Sequence, residues 1–107
     1  MTQARHHGLN DAQLETLRRH LAPFADQIER VAVYGSRAAG THRPFSDIDL
    51  VLYGSVEPQT VDRLFSQLMD SNLPVRVDVV AYERLTHTDL KRHIDQTAQE
   101  LFSKKDL

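Results

Sequence analysis

Apolar residues recur along this chain in two rhythms, and each change of rhythm marks an element. Leu14, Leu17 and Leu21 fall at helical spacing and line one face. The segment before them carries a helix start signal. Asn10 is placed to be the N-cap, Gln13 to reach back as in a capping box, and Leu9 to staple onto Leu14. Pro23 should end or kink this helix, with Phe24 and Ile28 keeping its phase into a further short turn. Arg30 to Tyr34 is a short apolar run closed by Gly35 and reads as a buried strand. Gly35 to Gly40 predicts a tight turn and a very short helix. Ser46 to Tyr53 predicts a second strand, ended by Gly54. Pro58 suits the first turn of a helix that carries Val61, Leu64, Phe65 and Leu68 and stops near Asn72 and Pro74. Val75 to Ala81 predicts a third strand. Leu85 to Leu90 repeats the cap-and-staple pattern, and Leu90, Ile94, Ala98 and Leu101 predict a last helix.

The order helix, strand, small helix, strand, helix, strand, helix is that of an α/β (α+β) domain: a small mixed sheet with helices mainly on one face. At 107 residues there is room for one domain. It is expected to span residues 9–107, with residues 1–8 as a flexible tail. The composition, 40% hydrophobic and 26% charged, is that of a soluble globular protein. Cysteine is absent, which excludes disulfides and thiolate metal sites and fits a cytoplasmic setting. No apolar run approaches the ~20 residues of a membrane span, and no signal-peptide core is evident. The formal charge of -2 gives no reason to expect direct nucleic-acid or membrane binding.

Candidate chemistry lies on the second and third strands. Side chains alternate along a strand, so Asp47 and Asp49 share one face while Ile48, Leu50 and Leu52 share the other. The two carboxylates stand roughly 6.5–7 Å apart at their Cα atoms. On the third strand, Val75, Val77 and Val79 take one face, and Arg76 and Asp78 the other. If the two strands are neighbours, Asp78 joins the pair. An isolated acid on an amphipathic strand usually faces solvent, or a neighbour such as Arg76 neutralises it. Asp, however, is a poor strand former, and this short strand carries two. Like charges ~5 Å apart repel by about 3 kcal/mol at an effective dielectric of ~20, and a divalent cation removes that repulsion. Oxygen ligands without His or Cys suit Mg²⁺ or Mn²⁺. The turn Gly35-Ser36-Arg37 at a strand end lets backbone approach a ligand and offers N–H groups and a hydroxyl to a phosphate. Arg37 and Arg43 are candidate phosphate contacts. His20, His42, His87 and His93 lack ligand spacing and are expected at the surface. His6 and His7 fall in the expected tail.

Gly35-Ser36, ten residues, then Asp47-Ile48-Asp49 resembles the signature of the polymerase-beta-like nucleotidyltransferase superfamily. The fuller string GSRAAGTHRPFSDIDLVLYG, followed by VRVDVV, resembles its minimal nucleotidyltransferase branch. The resemblance runs from about Val31 to Val80. It implies that Gly35 and Ser36 hold the β- and γ-phosphates of a nucleoside triphosphate, and that Asp47 and Asp49 bridge two Mg²⁺ ions. It also implies that Asp78 binds the catalytic metal and helps activate the acceptor hydroxyl. Stand-alone proteins of this branch resemble antitoxins paired with HEPN-domain RNase toxins. In that family the antitoxin moves AMP from ATP to a tyrosine of the toxin. Two other readings stay open: a nucleotide-binding scaffold that silences its partner by contact, and transfer to a small molecule or RNA with a helical partner subunit.

Overall fold

A computed structural model describes residues 7–41, 43 and 45–107. The described residues form α1 (Asp11–Leu21), β1 (Arg30–Val33), α2 (Ser36–Ala39), β2 (Ile48–Tyr53), α3 (Pro58–Met69), β3 (Val77–Ala81), α4 (Thr88–Thr97) and β4 (Gln99–Ser103). Short 3₁₀ turns occupy Ala22–Phe24, Tyr82–Arg84 and Lys104–Asp106. The α/β expectation with a small mixed sheet holds. Four strands lie in the order β3-β2-β1-β4. β1 is antiparallel to both its neighbours, whereas β2 and β3 are parallel and joined by α3. A parallel pair needs a crossover of this kind, and it sets the catalytic candidates of β2 and β3 at the same end of the sheet.

Local signals explain most boundaries. Asn10 Oδ1 accepts the Gln13 N–H at 2.8 Å, and Gln13 Oε1 accepts the Asn10 N–H at 3.0 Å, so the capping box is complete. Leu9 is buried, with Leu14 packed in the same cluster. α1 stops at Leu21, and Pro23 sits in the 3₁₀ turn that follows. His87 caps α4 through Nδ1, which accepts the Leu90 N–H at 3.1 Å.

The sheet has an apolar layer on each face. Val31, Val33, Ile48, Leu50, Leu52, Val77 and Val79 pack with Leu17 and Leu21 of α1 and Leu64 and Leu68 of α3. On the other face Ala32, Tyr34, Val51 and Tyr53 pack with Ile94 of α4, flanked by Leu90 and Ala98. Two of the longer helices therefore share one face, and α4 crosses the opposite one.

The last helix is shorter than its periodicity predicts. α4 ends at Thr97, Ala98 is extended (φ -59°, ψ 135°), and Gln99–Ser103 is a strand that pairs with β1. The apolar positions do not belong to one stripe. Ile94 and Ala98 pack on the α4 face, while Leu101 and Phe102 join the opposite core. β4 satisfies the backbone groups on the free side of β1, which a longer helix would have left without a ladder partner.

Residues 1–6 of the expected tail, and His42, lie outside the described residues. His7 and Gly8 are described, and His7 is 5% exposed, with its carbonyl held by Arg37. No helix among the described residues is long and apolar enough to cross a membrane.

Candidate active site

The site candidates meet on the α4 face of the sheet, at the end where β1 finishes and β2 and β3 begin. The parallel register sets Asp49 directly beside Asp78. Adjacent strands lie ~4.8 Å apart. Asp47 precedes β2 by one residue, is exposed, and shares the face of Asp49 by alternation. Asp49 is half-buried, and its carboxyl is pushed above the usual carboxylate range. Burial is the main cause, and the charges of Asp78 and Asp47 add to it. Tyr34, 8% exposed, lies under the same patch. Burial and then the charges of Asp49 and Asp78 push its phenol up to about 12, so it stays neutral.

The glycine turn closes against these acids. Gly35 has φ 76° and ψ -145°, a region essentially restricted to glycine. A Cβ built there would stand 3.2 Å from Asp49 Oδ2. The missing side chain thus lets the turn approach the carboxylate, as sequence reasoning expected of a Gly at a strand end. Ser36 follows as the first residue of α2 and is exposed; Gly40, in the left-handed region, ends the helix. The Gly35 N–H donates to Thr97 Oγ1 of α4 at 3.2 Å.

Arg37 departs from the phosphate-facing expectation. It is 4% exposed, and its guanidinium donates to the Ser46 carbonyl from Nε at 3.2 Å and from Nη2 at 2.9 Å, and to the His7 carbonyl at 2.6 Å. Burial lowers its pKa, and the Asp47 charge opposes that shift. Its contacts are those of a fastener that holds the loop leading into Asp47. Arg43 is exposed, and the loop uses its main chain: its N–H donates to Ser46 Oγ at 2.8 Å, and its carbonyl accepts the Ser46 N–H at 3.0 Å. Arg76 does what the plainer reading anticipated for Asp78. Its Nε donates to Asp78 Oδ1 at 3.1 Å, and both side chains are partly exposed.

His93 is exposed, as the sequence leads one to expect, yet it stands beside the glycine turn, which the sequence does not indicate. Its Nε2 lies 3.8 Å from the position of the Gly35 Cβ, and its ring stands edge-on to Tyr34 with centroids 6.1 Å apart. Nothing in the local pattern marks it. It sits beside the core residue Ile94 on an amphipathic helix, and only the packing of α4 across β1 brings it to the glycine turn.

Whether a divalent ion suits these residues is a matter of donors and charge. Two carboxylates stand in direct register and a third lies on the same face, and burial first, then their mutual repulsion, raises the Asp49 carboxyl. Hard oxygen donors under like-charge crowding fit Mg²⁺ or Mn²⁺. Among the described residues no three of the His, Asp and Glu side chains yet stand together as a ready metal cage. The Arg76–Asp78 pair is consistent with that, since the guanidinium occupies the charge of one of the two acids in register. A cleft of about 410 Å³ lies at the far end of this sheet face, among Glu29, Arg30, Tyr53, Tyr82, Glu83 and Asp95. It offers little for this chemistry. Glu83 accepts the Gly54 N–H and Asp95 the Tyr82 hydroxyl, while Arg30 lies over the Tyr53 ring.

The family model described as "Polymerase beta, Nucleotidyltransferase" matches residues 15–107. Several solved structures share the fold. One described as "Crystal structure of the toxin-antitoxin with AMP-PNP" is 22% identical, with TM-score 0.67, over 92% of this chain and 78% of that one. The MntA-HepT toxin-antitoxin structure is 16% identical, with TM-score 0.65, over 88% and 73%. A putative nucleotidyltransferase from Sulfolobus solfataricus is 16% identical, with TM-score 0.52, over 98% and 94%. No curated protein matches the chain in sequence.

Proposed function

This chain belongs to the polymerase beta nucleotidyltransferase family, and from that premise we propose that it is an antitoxin that transfers AMP from ATP to a tyrosine hydroxyl of a HEPN-type RNase toxin. The observation that carries the nucleotidyl-transfer part is the convergence of three elements. Asp49 and Asp78 stand side by side on β2 and β3, and Gly35 brings the turn against Asp49. The antitoxin part is supported by the fold shared with toxin-antitoxin structures, one of them described with AMP-PNP.

In this reading Gly35 and Ser36 take the β- and γ-phosphates. Asp47, Asp49 and Asp78 would hold two Mg²⁺ ions, with Mn²⁺ as a substitute. Such ions, when bound, lower the pKa of an acceptor hydroxyl and neutralise charge on the triphosphate and the departing pyrophosphate. The chain's own residues do the rest. Asp49, placed by β2 beside the glycine turn, sets where the α-phosphate lies. Asp78, on the edge strand β3, faces the side from which a partner hydroxyl arrives and draws its proton. A bond forms between the tyrosine oxygen and the α-phosphorus, the bond to the β-phosphate oxygen breaks, and pyrophosphate leaves. Arg37 keeps the loop before Asp47 in place through Ser46. Arg43 and Arg76 border the open face, where they meet phosphate or partner.

The test is incubation with α-labelled ATP, Mg²⁺ and the protein that co-purifies with this chain. Label on a partner tyrosine is the expected result, with a partner mass increased by whole AMP units. Label on RNA or a small molecule would replace the acceptor. A silenced but unlabelled partner would establish a scaffold that acts by contact.

The Ser36→Ala protein separates phosphate seating from metal holding. It loses one hydroxyl donor and keeps the backbone of the turn. Its kcat/KM for transfer should fall about 10–100-fold, the range for one or two hydrogen bonds to a charged group. A loss as large as that of Asp49→Asn would overturn this division of roles.

A further inference from the structure

The space that Gly35 leaves open has two walls. One is Asp49 Oδ2, 3.2 Å from where a Cβ would be, and the other is His93 Nε2, 3.8 Å from the same point. A carboxylate oxygen and an imidazole nitrogen thus flank a slot directly over the glycine turn. The slot is open because residue 35 carries no side chain, and a φ of 76° favours glycine there.

His93 is not there by the chance swing of a surface side chain. Thr97, one helical turn further on, donates its hydroxyl to the His93 carbonyl at 2.8 Å and accepts the Gly35 N–H at 3.2 Å. This relay joins the turn of α4 that carries His93 to the glycine turn itself. The imidazole is also steadied by its edge-on contact with Tyr34, at an interplanar angle of 83°. Ile94 beside it is fully buried, which anchors the helix against the sheet. His93 itself is exposed, and among the described residues its ring nitrogens take part in no hydrogen bond. An anchored, solvent-reachable imidazole with free nitrogens, aimed into a slot beside a carboxylate, suits an oxygen-rich group that bridges the two. Mg²⁺ alone is a poor match for the imidazole, since that ion prefers oxygen ligands. A phosphate oxygen matches both walls: the carboxylate through a shared cation, and the imidazole by accepting its N–H.

We propose that His93 is a ligand of the triphosphate, donating from Nε2 to a β- or γ-phosphate oxygen seated over Gly35. The assignment rests on the nucleotidyl-transfer reading above and adds a residue from α4 to a site otherwise built from the turn between β1 and α2, from β2 with the residue that leads into it, and from β3. It gives α4 a part in selecting triphosphate over monophosphate.

Titration calorimetry with AMP-PNP and with AMP, both in Mg²⁺, tests this. His93→Leu should weaken AMP-PNP binding roughly 10-fold and AMP binding less than about twofold, because the lost contact is to phosphates that AMP lacks. His93→Gln, whose amide can place an N–H near the same point, should stay within roughly threefold of wild type for AMP-PNP. Mn²⁺ binding without nucleotide should not change in either variant. His93→Ala serves as the second truncation if the leucine disturbs the helix. Unchanged AMP-PNP affinity in the truncations would overturn the proposal. So would equal losses for AMP and AMP-PNP, or glutamine no better than leucine. A fall in nucleotide-free Mn²⁺ binding would make His93 a metal ligand instead. Failure of the wild-type protein to bind AMP-PNP with Mg²⁺ would defeat the nucleotidyl-transfer reading itself, a result distinct from each of these.

Discussion

The Asp49→Asn protein should lose nucleotidyl transfer by about 10³-fold or more, and yet melt a few degrees higher than wild type when divalent cations are removed. Both effects come from one carboxylate. Asp49 is half-buried beside Asp78, and its carboxyl lies above the usual range through burial and the neighbouring acids. The folded chain therefore holds that proton more tightly than the unfolded chain does. The resulting stabilisation is present below the unfolded value and is lost as pH rises through the folded value. At neutral pH the ionised group is a net cost, and Asn removes it while keeping the shape. The gain should be modest, since Asp49 is half-exposed and solvent screens the charges around it. Adding Mg²⁺ and ATP should reverse the order, raising the Tm of wild type by linkage and leaving the variant where it was. Calorimetry at neutral pH and at pH 4 checks the sign, since the advantage of Asn should shrink in acid. A variant that is less stable than wild type in EDTA at neutral pH would show that Asp49 contributes to the fold through contacts other than charge.

Gly54→Ala should have the largest effect on stability. Gly54 is buried, has φ 124°, and ends β2 against the segment that enters β1. A Cβ there would come within 2.4 Å of the Gln27 carbonyl oxygen and 3.0 Å of the Glu29 nitrogen. Both are backbone atoms, so relief means moving main chain. The Glu29 N–H also donates to the Tyr53 carbonyl at 2.7 Å, and the Gly54 N–H to Glu83 Oε1 at 2.9 Å. Shifting either strand end disturbs these bonds. Strain in a glycine-only region adds about 1–3 kcal/mol before the clash is counted. Against a total of roughly 5–15 kcal/mol, a Tm lower by more than about 15 °C, or no soluble folded protein, is expected. Thermal unfolding followed by circular dichroism decides it, and a change under about 3 °C would mean that the β2 end relaxes freely. Gly35→Ala is the milder comparison, because its nearest neighbour is a side-chain oxygen that can turn away.

The elements legible in the sequence were those whose signals are local. The Asn10–Gln13 box, the alternation of Ile48, Leu50 and Leu52 against Asp47 and Asp49, and the helical spacing from Val61 to Leu68 each lie within one element. The pairing of Asp49 with Asp78 needed one further assumption, that β2 and β3 are neighbours, and the register places them side by side. What escaped notice depends on tertiary packing. β4 follows α4 after a single residue, without Gly or Pro to mark the change, and Leu101 happens to continue the helical phase. The roles of Arg37 and His93 hang on distant partners. Arg37 meets the His7 carbonyl, and His93 approaches a glycine in another element. An arginine after Gly-Ser reads as a phosphate ligand because charge near a phosphate turn is the simplest inference. The chain instead uses it as a buried clamp, with every observed contact going to a carbonyl.

The place of β4 bears on how the molecule comes to exist at all. β1, the first strand of this sheet in sequence, lies between β2 and β4, the fourth. Pairings of such wide sequence separation carry a loop-closure cost that must be met before they are rewarded, which slows folding relative to helical domains of equal size. Translation delivers the N-terminal half first, at ~5–20 residues per second. During that interval β1 has an open edge, and the glycine turn lacks Thr97. The carboxylates, the turn and α4 are brought into one site only when the chain has run through Ser103 and zipped back along β1. Assembly of the candidate site therefore waits on a folding step that follows the synthesis of β4, and until then the glycine turn stands without the Thr97 contact that ties it to α4.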